Sequence, residues 1–280
     1  MNKEKSLSNF ASRMFINLLG IPAIILLARA GGLPYVVFFG LVAILGQIEF
    51  YNLIKQKGFQ PWVNVGVVSG IVWILVTYLS QNLLYPLLLL ILLSFLLIVL
   101  FHPVTNAIVN VAVTFFGFLY LPFLISILII MRWMPARYDG DYLDGYFLVV
   151  MVFSSIWICD ALAYVFGKWL GKRHKIAPKI SPGKSWAGCI AGLCGALVTV
   201  ILFYRLDWKP DNLGLKDLLI IGLITGIIGQ AGDFVESAFK RDVGVKDSSS
   251  LLLGHGGILD RFDSFLIAPG FVYLYLLIVL

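Results

Sequence analysis

Nine stretches of this chain stay apolar for close to the thickness of a bilayer, and that fixes the solvent before any other feature is considered. They fall at roughly 14–30, 32–54, 62–80, 83–101, 106–131, 146–166, 186–204, 218–236 and 264–280. A helix needs about 20 residues to cross some 30 Å of hydrocarbon. Sixty per cent of the 280 residues are hydrophobic and only 13% are charged, against about 25% charged in a soluble domain. A water-soluble fold of this length has too little interior to hide that much apolar surface. The expectation is an all-α polytopic integral membrane protein with about nine transmembrane helices.

Basic residues set the orientation. With the amino terminus in the cytoplasm and nine spans threaded, most of the 21 Lys and Arg lie inside, among them Lys3, Lys55, Lys168, Lys184, Lys240 and Arg261. Arg132, Arg205 and Lys216 are among the few left outside. The net charge of +6 then reports topology and contact with anionic membrane lipids, and no nucleic-acid partner is expected. Leu27-Ala28-Arg29-Ala30 before Gly31 resembles a signal-peptidase site, but the first span is expected to remain attached. Cys159, Cys189 and Cys194 lie in apolar runs without metal spacing, so they read as small core residues, with no disulfide framework. The outer loops, around 132–145 and 205–217, read as solvated connectors.

The chain divides by content. Residues 1–145 carry five spans and few motifs; Glu49 is their main buried-looking charge and is expected to reach the interface. Residues 146–280 carry four spans and nearly all the unusual polar groups, in two cytoplasmic stretches.

The first stretch starts at Asp160, a carboxylate inside an apolar run that calls for a cationic neighbour. It continues through Lys168, Lys172, Arg173, Lys175, Lys179 and Lys184 to Ser181-Pro182-Gly183-Lys184-Ser185. Such a basic loop suits a strongly anionic ligand, and Gly183 and Gly188 permit close backbone approach. The second stretch runs from Asp233, Glu236 and Ser237 through Lys240-Arg241 and Lys246-Asp247 to His255-Gly256-Gly257 and Asp260-Arg261-Phe262-Asp263. Asp233 and Glu236, like Asp260 and Asp263, are spaced to share one helical face. Two such pairs supply hard oxygen ligands for Mg²⁺ in a site shared with phosphates. Gly256 and Gly257 ahead of a helix start read as a backbone nest for phosphate oxygens.

Acyl-transfer, zinc-hydrolase and Walker-type motifs are missing from the sequence. Carboxylates with Lys and Arg, and no evident protein nucleophile, suit phosphoryl or nucleotidyl transfer instead, with a lipid as one reactant.

The string Ser237-x-Phe239-Lys240-Arg241-x4-Lys246-Asp247, then His255-Gly-Gly-Ile-x-Asp260-Arg261-Phe262-Asp263, resembles the signature of the phosphatidate cytidylyltransferase (CDP-diacylglycerol synthase) family. Asp160-x-x-Ala-Tyr-x-x-Gly and Ile-Ser-Pro-x-Lys-Ser resemble it too. The resemblance implies a transfer of the cytidylyl group of CTP to phosphatidate, releasing pyrophosphate and requiring Mg²⁺, with K⁺ as a second metal. It implies a homodimer in a bacterial cytoplasmic (inner) membrane, with the active site facing the cytoplasm. By position, Asp233, Asp260 and Asp263 would hold metal, and Lys240, Arg241, Lys246 and Arg261 would neutralise phosphate oxygens. Asp160, Lys172, Lys175, Ser181, Lys184, Ser185, Ser237, Asp247, His255, Gly256 and Gly257 would form the substrate pocket. Two positions depart from the family pattern: Ala187 stands where a Glu is usual, and Leu253 where a small residue or Pro is usual. The rivals are a CTP-dependent polyprenol or lipid kinase and, in another class, an ion-coupled transporter.

Overall fold

The computed structural model describes residues 20–101, 105–134, 141–171, 174–249 and 256–280. Eight of the nine apolar stretches, and residues 20–30 of the first, lie on a helix or helical run among these residues. Seven are long and apolar enough to cross a membrane: Gly32–Gln56, Gln81–Phe101, Ala107–Trp133, Tyr142–Trp169, Trp186–Arg205, Leu215–Val243 and Leu259–Val279. Gly20–Ala30 and Val63–Leu79 are shorter apolar helices. At 1.5 Å per residue, Val63–Leu79 falls short of the hydrocarbon thickness.

In chain order the helices are α1 (Gly20–Ala30), α2 (Gly32–Gln56), α3 (Val63–Leu79), α4 (Leu84–Leu97), α5 (Ala107–Phe118), α6 (Leu124–Trp133) and α7 (Tyr142–Trp169), followed by α8 (Trp186–Arg205), α9 (Leu215–Val243) and α10 (Leu259–Val279). A π-helical turn, Leu119–Phe123, joins α5 to α6 and contains Pro122. The all-α expectation needs one correction. Between α7 and α8 the chain forms an antiparallel hairpin of β1 (Lys175–Ala177) and β2 (Ser181–Ser185), with Lys175 opposite Ser185 and Ala177 opposite Ser181.

Two compact units make up the chain: Met1–Ile129 with Val245–Arg261, and Ile130–Gly244 with Phe262–Leu280. In the first, Trp73, Ile91, Phe95 and Phe118 form an aromatic-aliphatic core. Helices in lipid lack a hydrophobic drive toward one another, so polar pins and close packing hold them. The Tyr51 hydroxyl donates to the Thr114 carbonyl at 2.7 Å, and Gln47 donates to the Tyr51 hydroxyl at 2.8 Å and to the Gly66 carbonyl at 3.0 Å. The Trp73 indole N–H donates to the Ser126 hydroxyl at 2.9 Å. These bonds tie α2, α3, α5 and α6 together. Glu49, expected at the interface, is instead 3% exposed.

In the second unit α7, α8 and α9 pack on one another along small residues. A Cβ on Gly192 of α8 would sit 2.8 Å from the Cys159 carbonyl of α7, and one on Gly226 of α9 would sit 3.1 Å from the Ala196 Cβ of α8. Side-chain bonds lock the same faces: Ser155 and Thr225 share a buried hydroxyl–hydroxyl bond of 2.6 Å, and Gln230 donates to the Cys189 carbonyl at 3.1 Å. Of the three cysteines only Cys159 is buried; Cys194 is exposed on α8, a correction to its core assignment, because lipid is as acceptable a neighbour for a small thiol as protein is. Arg132 is no solvated loop residue either. It is fully buried, donates to the Tyr142 carbonyl at 2.7 Å and lies 4.0 Å over the Tyr142 ring.

Helix ends follow local chemistry. Asp144 accepts from the Asp141 N–H at 2.9 Å at the start of α7, and Asp217 accepts from the Gly214 N–H at 2.8 Å before α9. Gly244, at φ 83°, closes α9 in the left-handed region.

Candidate active site

The second unit gathers acids and lysines from four elements. Asp160 comes from α7, Lys184 from the end of β2, Asp233, Glu236 and Lys240 from α9, and Asp263 from α10. Asp263 lies within electrostatic reach of Asp233, Glu236 and Asp160, and Asp160 within reach of Asp233 and Lys184. Lys184 pairs with Asp233 at 2.7 Å, donates to the Gln230 carbonyl at 3.3 Å and sits 4.0 Å over the Phe234 ring. Lys240 pairs with the fully buried Glu236 one turn earlier. Ser237 donates to Asp233 at 3.3 Å. Gly232 lets α10 approach, because a Cβ there would lie 2.6 Å from the Asp263 carbonyl oxygen.

Four carboxyl groups on helices of membrane-crossing length thus meet two ammonium groups, Lys240 from α9 and Lys184 from the hairpin. That surplus of acid calls for further positive charge, and hard carboxylate oxygens are the donors a small divalent cation prefers. The donor chemistry fits Mg²⁺, although among the described residues no group of three His, Cys, Asp or Glu side chains is arranged to hold a metal ion. In this structure the lysines lie on the acids instead.

The first unit holds the other half of the signature. One oxygen of Asp260, at the start of α10, accepts from the Gly257 N–H at 2.7 Å, the Ser248 hydroxyl at 2.9 Å and the Ser248 N–H at 3.0 Å. The N–H of Gly257, read from the sequence as part of a phosphate nest, is donated here to an internal carboxylate. Gly256 has φ 79°, a conformation that an L side chain rarely adopts. Glu49 accepts from Ser249, Ile258 and Leu259 of the same segment.

The remaining sequence candidates are spread around these clusters. Arg241 is exposed and donates to the Ile180 carbonyl at 3.2 Å, bridging α9 to the hairpin turn. Lys175 donates to the Gly183 carbonyl at 3.3 Å within the hairpin that also carries Ser181. Ser185 is 1% exposed, and its hydroxyl caps α8 by accepting from the Gly188 N–H at 3.3 Å. Lys246, Asp247 and Arg261 are exposed in the first unit. Lys172 and His255 lie outside the described residues. Sequence reasoning gave no role to Gln230, Ser248 or Ser249. It also left Glu49 out of the site, although its isolation in an apolar run was a usable signal.

These features define a class: an integral membrane protein in which one unit gathers carboxylates from membrane-crossing helices with lysines, and the other ties a Gly-Gly segment with a carboxylate. The chain belongs to the cytidylyltransferase family, whose model matches residues 11–279. A phosphatidate cytidylyltransferase of Haemophilus influenzae is 43% identical over 158 residues, 55% of this chain and 54% of that protein. Phosphatidate cytidylyltransferases of Staphylococcus haemolyticus and Staphylococcus aureus are 48% identical over 124 residues, 44% of this chain and 46% of each relative. The chain therefore spans about half the length of the curated relatives it matches.

Proposed function

We propose that this protein transfers the cytidylyl group of CTP to phosphatidate, giving CDP-diacylglycerol and pyrophosphate. The observation that carries this reading is the cluster of Asp160, Asp233, Glu236 and Asp263 with Lys184 and Lys240. The family and the names of its relatives supply the substrates. In the reaction a phosphatidate phosphate oxygen attacks the α-phosphorus, and the bond from that phosphorus to the bridging oxygen of the β-phosphate breaks. A phosphate monoester, with a second pKa near 6, is already ionised at neutral pH. It needs no protein base, which accounts for a site built from charge rather than from Ser, His or Cys.

In this reading Lys184, Lys240 and Arg241 hold and neutralise phosphate oxygens, and Lys246 and Arg261 add to the same field. Asp233, Asp260 and Asp263 would hold Mg²⁺, with K⁺ as a second metal. The metal would offset charge on the triphosphate and the leaving pyrophosphate. The lysines now paired with Asp233 and Glu236 would turn to the incoming phosphates. The reading also includes nine spans with a cytoplasmic amino terminus, an active site on the cytoplasmic side of a bacterial inner membrane, and a homodimer. The bias of Lys and Arg along the sequence supports the orientation.

The test is turnover by purified protein in mixed micelles with CTP, phosphatidate and Mg²⁺. Pyrophosphate and CDP-diacylglycerol should appear in equal amounts, chelation should stop the reaction and added Mg²⁺ should restore it. Release of CDP together with a phosphorylated lipid would sink the transferase reading in favour of a kinase. Because Ala187 stands where the family pattern has Glu, the same assay with dCTP beside CTP reads the sugar preference.

A further inference from the structure

The amino-terminal unit sends one carboxylate into the signature segment. Glu49 lies on α2, two turns before its end, and is 3% exposed. One of its oxygens accepts from the Ser249 hydroxyl at 2.7 Å and from the Ile258 N–H at 3.0 Å. The other accepts from the Leu259 N–H at 3.0 Å and from the Ser248 hydroxyl at 3.4 Å. Two of these four donors are backbone N–H groups at the start of α10, where a helix leaves its first donors unbonded and its dipole favours negative charge. The other two come from side chains ten residues earlier. A single carboxylate therefore joins Ser248 and Ser249, just after Lys246-Asp247, to Ile258 and Leu259 within the second signature string. Asp260 bonds to the same Ser248 and fixes the same turn from inside.

We propose that Glu49 is a positioning residue for the reaction: by clamping Ser248, Ser249, Ile258 and Leu259 it sets where α10 begins, and so where Asp260 and Arg261 stand. This rests on the transferase reading above. A merely structural acid would hold helices together anywhere along α2. This one accepts four hydrogen bonds from the stretch that carries the signature residues.

Glu49→Gln keeps the size but replaces one acceptor oxygen by an NH₂ group, which faces donors. With CTP and phosphatidate, Glu49→Gln should lower kcat on the order of 100-fold, as a small misplacement of reacting groups does, while KM for CTP stays within a few-fold of the wild type. Glu49→Asp, which retains the charge on a shorter arm, should recover part of the loss. Hydrogen exchange supplies a readout without turnover: the Ile258 and Leu259 amides should be protected in the wild type and exchange roughly tenfold faster or more in Glu49→Gln, with α3 and α5 amides unchanged. Wild-type kcat in Glu49→Gln, a kcat loss that only tracks the loss of folded protein, or equal exchange at Ile258 and Leu259 in both proteins would each overturn the proposal. Should the wild type release no pyrophosphate, the transferase reading and the positioning role fall together, and the exchange arm alone decides whether Glu49 clamps the segment.

Discussion

At the scale of single residues, the pair most exposed to test is Lys184 and Asp233. Their contact of 2.7 Å joins groups that are 21% and 32% exposed, and Lys184 also covers the Phe234 ring. Removing Lys184 leaves the Asp233 charge poorly compensated on a membrane-crossing helix, and removing Asp233 leaves the half-buried Lys184 ammonium without its carboxylate. Lys184→Ala and Asp233→Asn are each expected to lower kcat/KM by about tenfold or more. The double variant should lose less than the two losses combined. A double-mutant cycle is expected to give a coupling of about 1 kcal/mol, and strict additivity would separate the two residues. Gly257 is bounded by the Glu49 carboxylate and the Ser248 hydroxyl. Gly257→Ala should therefore loosen the clamp and cost about 1–3 kcal/mol of stability, as overpacking does, read as a lower melting temperature. The acids and lysines of the site were legible in the sequence because a carboxylate in an apolar run is costly without a partner. Which lysine meets which acid was not legible, since Lys184 and Asp233 are brought together by the meeting of a hairpin with α9.

Elements were legible wherever length and apolarity sufficed. Eight of the nine apolar stretches, and the described part of the first, fall on helical runs, but Val63–Leu79 is shorter than the sequence suggested. The β1–β2 hairpin was missed for a physical reason: Lys175–Ser185 has no alternation of apolar and polar residues, and Pro182 and Gly183 read as loop. The close packing of helices was hidden in single glycines. Gly232 lies against the Asp263 backbone, so Gly232→Ala should force α9 and α10 apart near two of the acids. Turnover should fall at least tenfold with little change in helical circular dichroism; unchanged turnover would mean that the approach of these helices is not needed. On the neighbouring face, Gly192→Val should disturb the packing of α8 on α7 and lower the melting temperature in detergent, because small residues are what let such helices approach.

For the whole molecule the testable quantity is which side each loop faces. In a background with Cys159, Cys189 and Cys194 replaced by Ser, a thiol reagent that cannot cross the membrane should reach Lys246→Cys only from the cytoplasm and Trp208→Cys only from outside. Labelling of both from one side would sink the nine-span arrangement. The bonds from Glu49 to Ile258 and Leu259 join residues 209 and 210 positions apart, and this separation matters for how the protein is made. At about 5–20 residues per second, the ribosome needs on the order of tens of seconds to reach the far partners after Glu49 has been synthesised. During that interval α2 carries a carboxylate whose four donors do not yet exist. A nascent chain stopped at Gly244 is permanently in that condition, so it should be cleared by membrane proteases faster than the full chain, and replacing Glu49 with Leu in the truncated form should slow its removal.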